Sequence, residues 1–272
     1  MAHSSFSKAF VTGASSGIGL ELCNLLAEKK VDLIISGRNN EKLQELAEKL
    51  SKKVSVKIEA ADLSKDEDRQ RLIALIHAEV PDLVINNAGL GLYGDALTYS
   101  TQEQVEILKV DMQAVLEFSL EAARTLISKQ KKGIIMNVSS VAAFFVMPGC
   151  SVYCSSKAFV NSFSESFDEE VRSYGVRVLA ACPGVVATNF RSRAKGKYLP
   201  TEEGTMMSPV YAAEQIWQQI QKQKKVHVFN WKYRLGMLLL PLFPKKLIVN
   251  LLRKNIALLH QPRPFITINN KP

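Results

Sequence analysis

A short apolar stretch, Ala9-Phe10-Val11, runs straight into Thr12-Gly13-Ala14-Ser15-Ser16-Gly17-Ile18-Gly19. An apolar helical pattern follows at once: Leu20, Leu22, Cys23, Leu25 and Leu26. Strand, Gly-rich turn and helix in that order are the context a dinucleotide fingerprint requires. Glycines let the backbone approach a pyrophosphate without a Cβ clash. The helix N-terminus then offers free N–H groups and a positive dipole end to the phosphates. A nucleotide site is therefore expected over residues 13–19.

The same alternation continues along the chain. Helical patterns fall near 18–29, 40–51, 65–79, 101–130 and 152–174, and apolar strand patterns near 31–36, 54–60, 82–86, 133–138 and 176–182. Ile134-Ile135-Met136 and Val178-Leu179-Ala180-Ala181 are continuous apolar runs, as in a sheet covered on both faces. The pattern predicts a single α/β domain with a Rossmann-type doubly wound parallel sheet. At 272 residues the chain is long enough to bury a large core. Ligands of such sheets sit beyond the C-terminal strand ends. Gly13, Arg38, Asp62, Asn87, Ser140 and Pro183 all fall there in the predicted layout.

Arg38 closes the second strand in Gly37-Arg38-Asn39. NAD sites usually carry an acidic residue near this place to bind the ribose 2′-hydroxyl, and none is present. An Arg pairs instead with a 2′-phosphate and stacks on adenine, so NADP is expected in preference to NAD.

Tyr153 and Lys157 stand four residues apart on one predicted helix, with Ser140 thirteen positions upstream of the Tyr. Residues i and i+4 lie side by side on a helix face. An ammonium beside a phenol favours the phenolate and is expected to lower the Tyr pKa. A nearby Ser hydroxyl can hold a substrate oxygen. The trio suits proton transfer to or from an alcohol or carbonyl oxygen.

Together these residues resemble the short-chain dehydrogenase/reductase family. The matches are Thr12-Gly13-x-x-x-Gly17-Ile18-Gly19, Asp62-Leu63, Asn86-Asn87-Ala88-Gly89, Ser140, Tyr153-x-x-x-Lys157 and Pro183-Gly184-x-x-x-Thr188, in the family's order over roughly residues 7–190. The resemblance implies that Tyr153 is the general acid/base and that Lys157 lowers its pKa and holds the nicotinamide ribose. It implies that Ser140 orients the substrate carbonyl. Gly13, Ser15, Ser16, Gly17, Ile18, Gly19, Arg38, Asp62, Leu63, Asn87, Ala88 and Gly89 would hold the cofactor with Tyr153 and Lys157. Pro183, Gly184, Val186 and Thr188 would meet its nicotinamide end. One residue departs from the pattern. The family usually has an Asn in the helix before the Ser-bearing strand, supporting a water that leads to the Lys. Asp111 stands at that place. A backbone carbonyl there would still hold the water, while a carboxylate would add negative charge beside Lys157.

The resemblance thus implies an NADP(H)-dependent oxidoreductase moving hydride between the cofactor and a carbonyl or alcohol. The family often pairs through the two long helices near 101–130 and 152–174, so a homodimer or homotetramer is expected. An alternative is a cofactor-binding scaffold or redox sensor at a membrane surface with little turnover, for which Asp111 is the support in the sequence. The four Cys of this long chain and the lack of a secretory signal point to a reducing, cytoplasmic setting. No His or second Cys pair stands at metal-ligand spacing.

Charge divides the chain. The whole carries +9, yet the last acidic residue is Glu214, and residues 215–272 hold eleven Lys or Arg. Residues 1–214 are therefore at −2. The tail is also apolar, with Leu235 to Phe243, Leu247-Ile248-Val249 and Leu251-Leu252, and Trp231 and Tyr233 precede these runs. We divide the chain into a catalytic domain, 1–225, including a substrate lid over 184–208, and a basic, apolar, helical extension, 226–272. No run is long enough to span a bilayer, which needs about 20 residues. Basic clusters, interfacial aromatics and short apolar helices suit a segment lying in an anionic membrane surface through 230–260. Packing of the same faces over the substrate pocket fits as well. Both point to an apolar substrate: a steroid, a retinoid or a long-chain acyl compound. Nucleic acid is not expected, because the basic residues alternate with aliphatic blocks rather than forming a polar groove. Arg191, Arg193, Lys195 and Lys197 in the lid suit either an anionic substrate or a solvated loop.

Overall fold

A computed structural model of the chain describes residues 6–190, 194 and 206–239, with single positions at 244, 246 and 250. Most of the expected lid, including its four basic residues, and most of the tail lie outside the described residues.

Seven parallel strands form one sheet in the order β3-β2-β1-β4-β5-β6-β7. They are β1 (Lys8–Thr12), β2 (Asp32–Gly37), β3 (Val56–Ala60), β4 (Leu83–Asn86), β5 (Gly133–Val138), β6 (Val176–Cys182) and β7 (Val226–Val228). The helices between them are α1 (Gly17–Glu28), α2 (Asn40–Leu50), α3 (Asp66–Glu79), α4 (Thr101–Leu108), α5 (Ala114–Ser128), α6 (Ser151–Val171) and α7 (Pro209–Lys222), and α8 (Trp231–Leu239) follows β7. The strand order reverses between β1 and β4. That switch point opens the crevice in which open α/β sheets bind ligands.

Strand alternation splits the core in two. Ala9, Val11, Leu33, Ile35, Leu83, Ile85, Ile134 and Met136 face the side covered by α1, α2 and α7. Phe10, Ile34, Val84, Ile135 and Val178 face the side covered by α3, α5 and α6. Neither face meets water, so the central strands carry continuous apolar runs through their middles, with Thr12, Ser36, Asn86 and Asn137 at or near their C-terminal ends. Caps fix several helix starts. Asn39 accepts from Lys42 N–H at 2.9 Å before α2, and Ser100 and Glu103 form a reciprocal capping box before α4. Ser208 accepts from Tyr211 N–H ahead of α7, whose first residue is Pro209. Each cap contributes about 1 kcal/mol.

Two features differ from the expectation drawn from sequence. The long helix expected over 101–130 is interrupted by a π-helical turn, Lys109–Gln113, where Ala114 N–H reaches back to the carbonyl of Lys109. That turn carries Asp111. A seventh strand, β7, joins the sheet beside β6, with Ala180, Ala181 and Cys182 opposite Val226, His227 and Val228. It lies inside the range read as the extension.

Candidate active site

The C-terminal ends of β1, β2, β4, β5 and β6 open onto one cavity of about 760 Å³. Of the cofactor-binding and catalytic residues expected from sequence, all line it except Gly19 and Asp111, which stand directly behind its wall. A correct alternation of strands and helices is sufficient to bring these scattered residues together.

The nucleotide end is built from main chain. Gly13 and Gly17 take φ of +69° and +58°, a region L side chains rarely adopt. A Cβ on Gly17 would come within 2.9 Å of the Thr188 methyl, and one on Gly19 would overlap the Gly13 carbonyl. Helix α1 starts here with no acidic residue in its first turn, so its positive dipole end is not offset. Thr12 ties the turn to β4: its hydroxyl accepts from the N–H groups of Asn87 and Ala88, both at 3.0 Å. The Asn87 amide donates to Thr12 O at 2.9 Å. Asn87 is thus a clamp between two strand ends as well as part of the cavity wall. Arg38 and Lys42 line the wall beyond β2, and Ser36 Oγ at that end is buried with no hydrogen-bond partner. A cradle without Cβ atoms, a helix N-terminus, basic side chains and an orphaned buried hydroxyl together fit a phosphorylated dinucleotide.

Ser140 follows β5 and its Oγ accepts from Ala142 N–H at 3.1 Å. Tyr153 and Lys157 lie one turn apart on α6, with Lys157 Nζ 5.7 Å from the centroid of the Tyr153 ring. Ser140 stands beside Tyr153 and acts to lower the pKa of its hydroxyl. The backbone of this turn is secured on both sides. Ser156 Oγ donates to Tyr153 O at 2.8 Å, and Ser139 Oγ donates to Lys157 O at 3.0 Å.

The expected lowering of the Tyr153 pKa is not what the structure gives. Burial pushes the phenol well above its ordinary value. The neighbouring Tyr93 and the Asp111 carboxylate add to the rise, and Ser140 opposes it. Lys157 does not reverse the sign because its charge is engaged elsewhere. Its ammonium donates to Val138 O at 3.3 Å and pairs with Asp111 Oδ2 at 3.3 Å. Asp111 is fully buried and also accepts from Leu90 N–H at 2.7 Å. Its own pKa is raised by burial, an effect that Lys157 partly offsets. The π-helical turn aims this carboxylate at the Lys, and such turns recur at functional sites. The structure therefore places a carboxylate behind the Lys, outside the cavity lining.

At the substrate end of the cavity the sequence pointed to two segments, the lid and the tail, but to none of the side chains. Tyr93, Phe145, Met147, Cys150, Phe190 and Tyr233 form most of its wall. Phe190 lies against the Tyr153 ring, centroid to centroid 5.7 Å. Tyr233 arrives from α8, and a Cβ on Gly184 would come within 2.6 Å of its ring. Phe145, Met147 and Cys150 share one segment, but no spacing links it to Tyr93, Phe190 and Tyr233, so only the fold reveals the six as neighbours.

Residues 7–198 match the family model of short chain dehydrogenases. The chain belongs to that family. It is an oxidoreductase, and the family binds a nicotinamide cofactor. A relative from Staphylococcus aureus (strain USA300), named as an uncharacterized oxidoreductase, is 31% identical over 222 residues, covering 81% of this chain and 93% of that protein. Among solved structures, a short-chain dehydrogenase from Sphingobium yanoikuyae in complex with NADPH superposes with a TM-score of 0.76 at 22% identity, over 97% of this chain and 100% of that one. A bulky-bulky ketone specific alcohol dehydrogenase from Comamonas testosteroni superposes with a TM-score of 0.74 at 24% identity, over 83% and 86%. These two likenesses establish the shared fold.

Proposed function

We propose that this short-chain dehydrogenase is an NADP(H)-dependent reductase of apolar ketones. The observation that carries the reading is the convergence of Ser140, Tyr153 and Lys157 in one cavity with the glycine turn and Arg38. Glycine turn and α1 would hold the pyrophosphate, Arg38 the 2′-phosphate, and Asp62 and Leu63 the adenine side. Lys157 would hold the nicotinamide ribose, and Val186 and Thr188 the carboxamide. When bound, the nicotinamide supplies or accepts the hydride. Everything else falls to the chain. Ser140 Oγ orients the carbonyl oxygen. Tyr153 donates its proton to that oxygen as the carbon is reduced, and the Lys157 ammonium stabilises the phenolate left behind.

The aromatic and thioether wall supports a substrate of steroid, retinoid or long-chain acyl type. That the Comamonas neighbour is named for bulky ketones agrees with this. A dimer pairing through α5 and α6 fits the family's habit. The scaffold reading is favoured by one observation, the Asp111–Lys157 pair, which ties up the charge that would activate Tyr153. Ketone-dependent oxidation of NADPH and NADH, over a series from short polar to polycyclic ketones, separates the two. The reductase reading expects turnover that rises with apolar size and favours NADPH. Tight NADPH binding without turnover on any ketone would establish the scaffold.

A further inference from the structure

Helix α8 has two apolar faces, and among the described residues only one of them has a partner. Tyr233 turns inward, onto Gly184 and into the cavity wall. Trp231, Leu235 and Leu239 follow at i, i+4 and i+8, on one stripe of the opposite side. They are 62%, 45% and 43% exposed. Lys232 and Arg234 are both exposed as well, and helical geometry places one on each flank of that stripe. The cavity rim repeats the arrangement. Phe145 and Met147 line the cavity, while their neighbours Phe144 and Val146 are exposed, Val146 to 66%.

We propose that this face of α8 is a docking surface for an anionic lipid bilayer, seating Trp231, Leu235 and Leu239 among the acyl chains and Lys232 and Arg234 at the headgroups. A large amphipathic aromatic and two leucines beside snorkelling cations are the composition of an interfacial helix. Charge selects the occupant. From residue 215 to 272 the chain has eleven basic and no acidic residues. Residues 240–272 carry six of those cations. An acidic surface complements the whole region. Because the other side of the same helix walls the cavity, docking sets the mouth of the cavity against the lipid. An apolar ketone dissolved in the bilayer then enters without crossing water. This inference goes beyond the reductase reading and stands without it.

The test is sedimentation of the full chain with vesicles of phosphatidylcholine, with and without phosphatidylserine. Binding to the phosphatidylserine vesicles is expected, falling as salt rises. Lys232→Gln and Arg234→Gln should each weaken it about fivefold, the effect of one interfacial cation. Leu235→Glu should weaken it at least tenfold while leaving the thermal unfolding midpoint unchanged, since the side chain is exposed. Equal sedimentation with and without phosphatidylserine would overturn the proposal. So would full binding by Leu235→Glu. A third contrary result is a wild-type dimer in solution that Leu235→Glu dissociates, with no vesicle binding by either, which would make the face an interface between copies of this chain.

Discussion

At the nucleotide end of the cavity the wall is main chain: glycines at positive φ, a helix N-terminus and N–H groups clamped by Thr12 and Asn87. At the substrate end it is side chain: rings and a thioether from four separate segments, of which Tyr233 comes from the helix that follows the sheet's last strand. The first end depends on residues that cannot be exchanged without moving backbone. The second depends on shape and apolarity, which many residues supply. A fold of this kind can thus keep one cofactor while its substrate changes, and the Tyr153 turn sits where the two ends meet.

The sharpest way to break that division is at the junction. Tyr153→Phe should lower turnover by about 10²- to 10⁴-fold, the range for a positioned proton donor. NADPH affinity should stay within a few fold, as read by cofactor fluorescence. A loss of binding in step with turnover would show that the two ends are not separable. Gly19→Ala attacks the main-chain end. Its Cβ would overlap the Gly13 carbonyl and crowd the Asn87 amide, so the turn must shift. A loss of about 1–3 kcal/mol is expected, in NADPH affinity more than in the unfolding midpoint.

How much of this was legible in the sequence follows the same division. Gly13, Gly17, Arg38, Asn87, Ser140, Tyr153 and Lys157 could be placed because a turn, a strand end or a helix face requires a particular residue type at a particular spacing. The sheet could be placed because both faces of each central strand are buried, which leaves continuous apolar runs. Tyr93, Met147 and Phe190 could not, since a lone apolar side chain in a loop or at a helix end has no periodicity and its neighbours are set by the fold; for Tyr233 the sequence offered only the tail as a cover for the pocket, not the residue. β7 was missed because three residues are too few to show alternation. The direction of the Tyr153 shift was misjudged for a different reason. Helical spacing puts Lys157 beside Tyr153 but is silent on burial and on where the Lys points, and Asp111, on the π-helical turn before α5, pairs with the ammonium.

Asp111 sharpens the comparison further. Asp111→Asn leaves both walls in place and removes only a charge behind Lys157. The pH profile of turnover should lose one ionisation while KM for ketone changes little. Stability should respond with a definite sign. A buried carboxyl whose folded pKa is raised contributes most when protonated, and that contribution is lost as pH rises above about 4. Urea unfolding should therefore show the Asn variant gaining on the wild type as pH increases from 4 towards neutrality. An unchanged difference across that window would mean that Asp111 ionises as freely folded as unfolded.

Tyr233→Ala makes the smallest change. It opens the substrate end without touching the nucleotide end. KM for the bulkiest ketones should change by about tenfold or less, with kcat for small ketones and NADPH affinity unchanged. Such a loss is typical of one truncated apolar contact.

The most direct test of the central claim is isotopic. The protein is given NADPH carrying deuterium at both positions of the transferring carbon, together with an apolar ketone, and the alcohol is weighed. The account predicts one deuterium on the carbinol carbon with the wild type and essentially none with Tyr153→Phe at saturating cofactor. An alcohol without deuterium, or full transfer by Tyr153→Phe, would contradict it.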